Sequence, residues 1–334
     1  MAESLLLALD FGGTKLSAAI AARGERAWRA LERAVSPPVK DARYEYATML
    51  ALARRLLGGQ TPAAIGVSFG GPVDAARGRV VLSHHVPGWD DTPLRDQLQT
   101  ALGAPVSIDN DANVAALGEY KFGAGRGGVK HASSLLYVTV STGVGGGWVI
   151  DGKIFSGADG LAGEIGHTIV DPQGPPCICG RRGCVEMMAC GPAIARAARA
   201  RLSAEPGAGA RLRALIGGDL EAVTGELVAR AANEGDELAR AVMDAAARAL
   251  GFGIGTAITL MNPARVILGG GVTKSGERWW SQVRAAARAN TLPQMRVDIV
   301  PAALGDDAPL WGAIALAEDL IAPAQQFQEF DTAS

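Results

Sequence analysis

The apolar positions of this chain form a pattern that occurs twice. Leu5 to Asp10 is a short, nearly unbroken apolar run, Phe11-Gly12-Gly13-Thr14 interrupts it, and Lys15 to Ala21 resumes it. That order predicts two strands joined by a glycine-rich turn. The same form returns at Ser134 to Val140, Ser141-Thr142-Gly143-Val144-Gly145, and Gly146 to Ile150. Two such units predict an internal duplication, each hairpin opening its own α/β domain. Helical periodicity is expected over Ala42 to Leu57, Pro93 to Leu102 and Asp111 to Phe122. Ser203 to Gly218, rich in Gly, Ala and Pro, reads as containing a loop between helices. From Ala222 the pattern is helical as far as Asn262-Pro263. Arg265 to Leu268 is a short strand running into Gly269-Gly270-Gly271, and Pro309 to Leu320 is a last helix. Gln325-Gln326 and Thr332 to Ser334 read as part of a frayed tail.

A length of 334 residues allows two domains or one large one, and a 48% apolar content places the chain among globular proteins. Lys and Arg number 32 against 34 Asp and Glu, so no general positive field exists to hold a polyanion, and nucleic acid is not an expected partner. Met1-Ala2-Glu3-Ser4 enters the apolar run without a basic start or a small-residue cleavage site, so a cytoplasmic location is expected. The longest nearly uncharged stretch, Ala247 to Ala264, is interrupted by Arg248, several glycines and Asn262-Pro263; it reads as a buried helix rather than a membrane span.

Glycine lets backbone N–H groups approach phosphate without an intervening Cβ. Three segments offer this: Asp10 to Lys15, Ser141 to Gly147, and Gly269-Gly270-Gly271-Val272. None carries the P-loop ending Gly-Lys-Ser/Thr, and the first two lead into strands where a dinucleotide fingerprint requires a helix. Each alone reads equally well as a tight turn; together they point to a nucleoside triphosphate held between hairpins. Asp10 precedes the first turn, where a carboxylate can hold Mg2+ through water or simply cap the turn.

These residues resemble the ROK sugar-kinase family, a branch of the actin, hexokinase and Hsp70 superfamily. The resemblance spans almost the whole chain. Its pieces are Asp10-Phe11-Gly12-Gly13-Thr14, Asn110-Asp111-Ala112-Asn113, the Gly143 to Gly147 loop, Gly163-Glu164-Ile165-Gly166-His167, and Cys177-Ile178-Cys179-Gly180 through Gly183-Cys184-Val185-Glu186. It implies an α/β fold of two RNase H-like (actin-like ATPase) domains around a cleft that closes in catalysis, with a small zinc-binding loop. The domains are expected over 1–116, completed by 308–334, and over 117–307. Some family members are repressors carrying a DNA-binding module ahead of the first glycine turn; the turn lies too near the start of this chain for one, which favours the enzyme branch.

All four cysteines lie between Cys177 and Cys190, and in a reducing compartment such clustering suggests metal before disulfide. His167, Cys177, Cys179 and Cys184 supply an imidazole and three thiolates, a set that suits tetrahedral zinc and leaves no open position, hence a structural ion. Cys190 lies outside the pattern and reads as a small packed side chain. Phosphoryl transfer to a hydroxyl requires a carboxylate to take the proton. Asp109 and Asp111 both follow the apparent strand Val106 to Ile108, and Asn110 or Asp111 also suits a helix cap.

The resemblance assigns the base to Asp111 and sugar hydroxyls to Asn110, Glu164, His167 and Glu186, with Gly71 at the pocket edge. It implies nucleotide contacts from Asp10, Gly12, Gly13, Thr14, Lys15, Thr142, Gly143, Gly145, Gly270 and Gly271. Cofactors implied are ATP, Mg2+ and structural Zn2+. The implied reaction is ATP-dependent phosphorylation of a hexose at the 6-hydroxyl, glucose first, with N-acetylglucosamine, N-acetylmannosamine, mannose or fructose as rivals and a non-catalytic sugar-binding regulator as the other class. A homodimer or homotetramer is also implied. Two departures from the family pattern are Gly70-Gly71, where many relatives have Pro-Gly, and Ser141, where many have Gly. Trp279-Trp280 and Trp311 read as core or interface residues, and His84-His85 as part of a loop.

Overall fold

The computed structural model describes residues 4–83, 86–126 and 133–322. His84-His85 and the tail from residue 323 lie outside the described residues. The chain divides into two compact units, residues 1–109 with 313–334, and residues 110–312.

In the first unit, β1 (Leu5–Phe11) pairs antiparallel with β2 (Lys15–Ala22) in a register running from Leu5↔Ala22 to Phe11↔Leu16. β2 pairs antiparallel with β3 (Ala30–Val35), and β1 pairs parallel with β4 (Ala64–Phe69). After the short ladder of β5 (Val73–Asp74) and β6 (Arg79–Val80), β7 (Val106–Asn110) completes a sheet of order β3-β2-β1-β4-β7. Leu6 to Leu9 are wholly buried, which is why β1 reads as a continuous apolar run rather than an alternation. Helices α1 (Ala42–Leu57) and α2 (Leu94–Leu102) complete this part; Asp41 caps α1 by accepting the Tyr44 N–H.

The second unit repeats the arrangement. β8 (Ser134–Val140) and β9 (Val144–Ile150) form the hairpin, β10 (Lys153–Phe155) extends it, and β11 (Arg265–Gly269) and β12 (Asp298–Pro301) add in parallel, giving the order β10-β9-β8-β11-β12. Its helices are α3 (Asp111–Phe122), α4 (Val185–Ala189), α5 (Gly191–Ala204), α6 (Ala210–Leu215), α7 (Gly225–Asn233), α8 (Glu237–Met261) and α9 (Glu277–Ala289). The division between the units falls within α10 (Ala308–Leu320).

Several boundaries differ from expectation. The division at Asp109/Asn110 lies ahead of residue 116, since Asn110 caps α3 and the whole helix stays with the second unit. The segment 203–218 does hold the expected loop between helices, residues 205–209 between α5 and α6, and amides in the first turn of α6 bind the Asp236 carboxylate at 3.0 and 3.1 Å from Arg211 N and Leu212 N. The helical stretch after Ala222 breaks between α7 and α8, because Asp236 also caps α8 through Ala239 N. Among the described residues, α8 is the one helix long and apolar enough to cross a membrane, and 61% of its 18-residue apolar window is buried inside the protein. Trp279 and Trp280 are buried, and Trp311 packs against Phe122 with the rings tilted and their centroids 5.1 Å apart.

Candidate functional site

Asp111 is the first residue of α3. Asn110, extended at φ −60° and ψ 146°, accepts the Ala112 N–H on its side chain at 3.0 Å, and Asp111 Oδ1 accepts the same N–H at 2.8 Å. Asn110 is therefore the cap, and its side chain also hydrogen-bonds the Asp111 carboxylate. Asp111 is half-buried, and its burial raises the carboxyl pKa to about 6; the Ala112 N–H and Asn110 pull the other way, and the Glu164 carboxylate adds to the rise. Such a group is ionised at neutral pH yet takes a proton more readily than an ordinary aspartate, which suits a general base. Asp109, the competing carboxylate in the sequence, is buried in β7.

The start of α3 lies directly against β9. A Cβ on Gly147 would come within 2.7 Å of the Ala112 carbonyl oxygen and 2.8 Å of Asn113 Cα, so only glycine permits this approach. On the neighbouring residue of β9, a Cβ on Gly146 would sit 2.6 Å from the Gly163 carbonyl oxygen, which brings in the segment bearing Glu164 and His167. Glu164 precedes the short 3-10 turn Ile165–His167, its carbonyl accepting the His167 N–H at 3.0 Å, and His167 Nε2 lies 3.9 Å from Glu164 Oε2.

The other face of the imidazole meets the cysteines. His167 Nδ1 is 3.6 Å from Cys177 Sγ, Cys179 Sγ is 3.6 Å from Cys184 Sγ, and the four donor atoms all lie within 4.8 Å of one another. A zinc tetrahedron with S and N bonds near 2.3 and 2.0 Å has ligand–ligand edges of about 3.5–3.8 Å, so the donor set fits that ion. The loop is built to present it. Cys177 N–H binds the Arg181 carbonyl and Gly180 N–H binds the Cys177 carbonyl, closing a tight knuckle. Gly183, at φ 68°, would place a Cβ 1.5 Å from the Asp171 carbonyl oxygen. The hydrogen bond from Arg181 pulls the exposed Cys179 thiol down to about 6, while burial pushes Cys184 up to about 12. Cys190 is buried outside the group.

Two residues beyond Cys184, Glu186 on α4 accepts the Val144 N–H at 3.0 Å. One carboxylate oxygen is thereby committed to the second glycine loop, a contact the sequence did not disclose. That loop and the third glycine segment line one cavity of about 870 Å3 within this unit, which Ser141, Thr142, Gly271 and Val272 share with Glu226, Asn233 and Lys274. Gly270 precedes the wall residue Gly271, while Gly143 lies in the turn braced by Glu186 and Gly145 follows it in β9, paired with Thr139. The α7 residues Glu226 and Asn233 carry no local motif; only the packing of α7 against α5, α8 and the Gly271–Ser275 turn, where the Asn233 amide donates to the Ser275 carbonyl, reveals them.

In the first unit, Asp10 is buried at the end of β1 and its Oδ1 accepts the Ser68 hydroxyl at 2.9 Å, so one oxygen is fixed by β4. Gly12, Gly13 and Thr14 form the turn, and Lys15 begins β2. Gly71 follows β4, its N–H on the Phe69 carbonyl at 2.9 Å.

The family model described as ROK family matches residues 6–320. A glucokinase of Halalkalibacterium halodurans is 38% identical over 252 residues, 74% of each chain. A glucokinase of Thermotoga maritima is 30% identical over 324 residues, 96% of this chain and 99% of its own. A solved ROK family glucokinase from Streptomyces griseus, in complex with glucose and AMPPNP, is 32% identical with a TM-score of 0.79, covering 95% of this chain and 100% of that one. An N-acetylmannosamine kinase of Salmonella heidelberg is 33% identical over 317 residues, 93% of this chain and 98% of its own. A xylose repressor of Caldicellulosiruptor bescii is 32% identical over 263 residues, 77% of this chain but only 63% of its own. The match extends from the first hairpin to the last helix and takes in both glycine turns and the Cys3His loop, so the chain belongs to the ROK family.

Proposed function

We propose that glucose is the hexose this kinase phosphorylates, at the 6-hydroxyl, with ATP and Mg2+ as donor. Asp111 carries the reading: a half-buried carboxylate with its pKa raised to about 6, set between the second glycine loop and the Glu164–His167 segment. It takes the proton of the 6-hydroxyl as O6 bonds to the γ-phosphorus. The bond from that phosphorus to the bridging oxygen breaks, and ADP leaves.

Asn110, with its carbonyl oxygen held by Ala112, donates its amide to a sugar hydroxyl. Glu164, His167 Nε2 and the remaining oxygen of Glu186 take the others. His167 and the three thiolates of Cys177, Cys179 and Cys184 would hold zinc, which would take no part in the transfer and would fix the imidazole that faces the sugar. Thr142, Gly143, Gly145, Gly270 and Gly271 serve the nucleotide, whose nucleoside fits the 870 Å3 cavity. Gly12, Gly13, Thr14 and Lys15 serve its phosphates, and Asp10 would hold the Mg2+ that accompanies them.

The glucokinase relatives and the glucose complex support glucose. The N-acetylmannosamine kinase, 33% identical over 93% of the chain, supports the second reading, an N-acetylhexosamine substrate. A coupled ADP-release assay across glucose, mannose, fructose, N-acetylglucosamine and N-acetylmannosamine decides. The highest kcat/KM is expected for glucose. A preference for an N-acetylated sugar overturns the substrate, and no ADP with any sugar overturns the kinase in favour of a sugar-binding regulator.

A further inference from the structure

The segment between β3 and α1 inverts the usual disposition of side chains. Val35 and Val39 are 84% and 90% exposed, whereas the Lys40 side chain is 8% exposed. A buried ammonium in a loop with apolar residues turned outward breaks local expectation, and such breaks mark places where function or specificity has overridden packing.

The ammonium is held by two partners. Lys40 Nζ donates to the carbonyl oxygen of Gly13 in the first glycine turn, and lies 3.3 Å from Glu45 Oε1 on α1. Glu45 is buried as well, and its other oxygen accepts the indole N–H of Trp89 at 2.8 Å. Trp89 in turn meets Phe11, the residue entering the turn, edge-on at 5.6 Å, and Phe69 at 5.2 Å. The far side of the turn is tied by Ser36 N–H on the Thr14 carbonyl at 3.0 Å. The turn is thus held at Phe11, Gly13 and Thr14 from two separate segments, by Ser36 and Lys40 ahead of α1 and by Trp89 ahead of α2.

The consequence follows from peptide geometry. In a trans peptide the C=O and N–H of one plane point in opposite directions, and no described peptide bond here is cis. With the Gly13 carbonyl turned inward to Lys40, the Thr14 N–H on the same plane faces away from it. We infer that Lys40, backed by Glu45 and Trp89, is a positioning residue that presents the Thr14 N–H to a phosphate oxygen of the nucleotide. A buried carboxylate beside the ammonium keeps that hold in place where a lone lysine would be too costly to bury. The inference rests on the reading that this turn serves phosphate.

The test is K40M/E45Q, which removes both charges together and keeps the side-chain volumes and the Trp89 hydrogen bond. Calorimetry with ATP and with adenosine, and steady-state kinetics with glucose, are read side by side. The expected result is about a tenfold weaker Kd and higher KM for ATP, an unchanged Kd for adenosine, and an unchanged KM for glucose, the size being that of one charge-assisted hydrogen bond. E45Q alone is the milder variant, expected to raise KM for ATP about threefold; it keeps the proposal open to refutation if the double variant does not fold. Unchanged ATP binding in either folded variant overturns the positioning role, and so does an equal loss for adenosine, which has no phosphate. A wild-type protein that binds ATP no better than adenosine, or releases no ADP, instead refutes the underlying reading of the turn.

Discussion

The two glycine turns at Phe11–Lys15 and Val140–Val144 close hairpins at matching places in two sheets of like order, yet they are braced by different chemistry. The first is backed by a buried ion pair, with Lys40 on the Gly13 carbonyl, Glu45 beside it and Trp89 behind. The second is backed by the metal loop: Glu186, two residues from Cys184, takes the Val144 N–H. The two sheets share a strand order, and each turn has its own support. The second turn is thereby linked to the groups assigned to the sugar, through one short helix that carries a candidate metal ligand at its start and a loop brace in its first turn.

The largest effect is expected at the residue beside the second turn. Asp111→Asn is predicted to lower kcat about 10³- to 10⁴-fold while leaving zinc content, measured by metal analysis, unchanged. It also sharpens the electrostatic account. The folded-state pKa of Asp111 is raised above the ordinary 3.8, so its contribution to stability is full below about pH 4 and is lost as pH rises through about 6. At pH 7.5 the ionised side chain is a cost, and D111N is expected to be the more stable protein by about 1 kcal/mol after screening at a half-exposed site, or roughly 2 °C in Tm.

Next comes the metal. Cys184→Ser or removal of zinc by a chelator is predicted to cost about 100-fold in kcat/KM. Hydrogen exchange separates the two turns: the Val144 amide, held by Glu186, loses protection, and the Ser36 amide, bonded to the Thr14 carbonyl of the first turn, keeps its own. Equal loosening of both turns breaks the comparison. A smaller effect is expected from Glu186→Ala, which leaves the Val144 N–H without its charged acceptor and is predicted to raise KM for ATP about tenfold. Glu186→Gln retains an acceptor for that N–H, so it is predicted to spare KM for ATP and to act on KM for glucose. The smallest effect belongs to Ser141→Gly, the change back to the commoner residue. The expected shift in KM for ATP is under about twofold, since surface changes of this kind lie within about 0.5 kcal/mol.

How far these features were legible depends on how local they are. The hairpins could be read because strand, glycine turn and returning strand are adjacent in sequence, and the Cys3His group because its donors lie within one loop. Asp111 could be placed only by family resemblance, because Asp109 stands two residues away and periodicity does not choose between them. β3, with Glu32 and Arg33 among its residues, is half-exposed and lacks the apolar run that marks β1, so it went unread. The break between α7 and α8 hides in a continuous helical pattern until Asp236 is seen to cap two helices. Glu226 and Asn233 in the cavity wall, and Lys40 with Glu45 and Trp89 behind the first turn, are joined only by tertiary packing. Nothing in the spacing of such residues records that they meet.

The central claim, that Asp111 accepts the hydroxyl proton, is tested most directly by the pH dependence of kcat/KM for glucose at saturating ATP. A base with a pKa of about 6 must be ionised to act, so the account predicts a plateau above about pH 7 and a fall approaching tenfold per unit below about 6, absent from the residual activity of D111N. A wild-type profile that stays flat from pH 7 down to 5, or a D111N variant that keeps the wild-type rate, contradicts it.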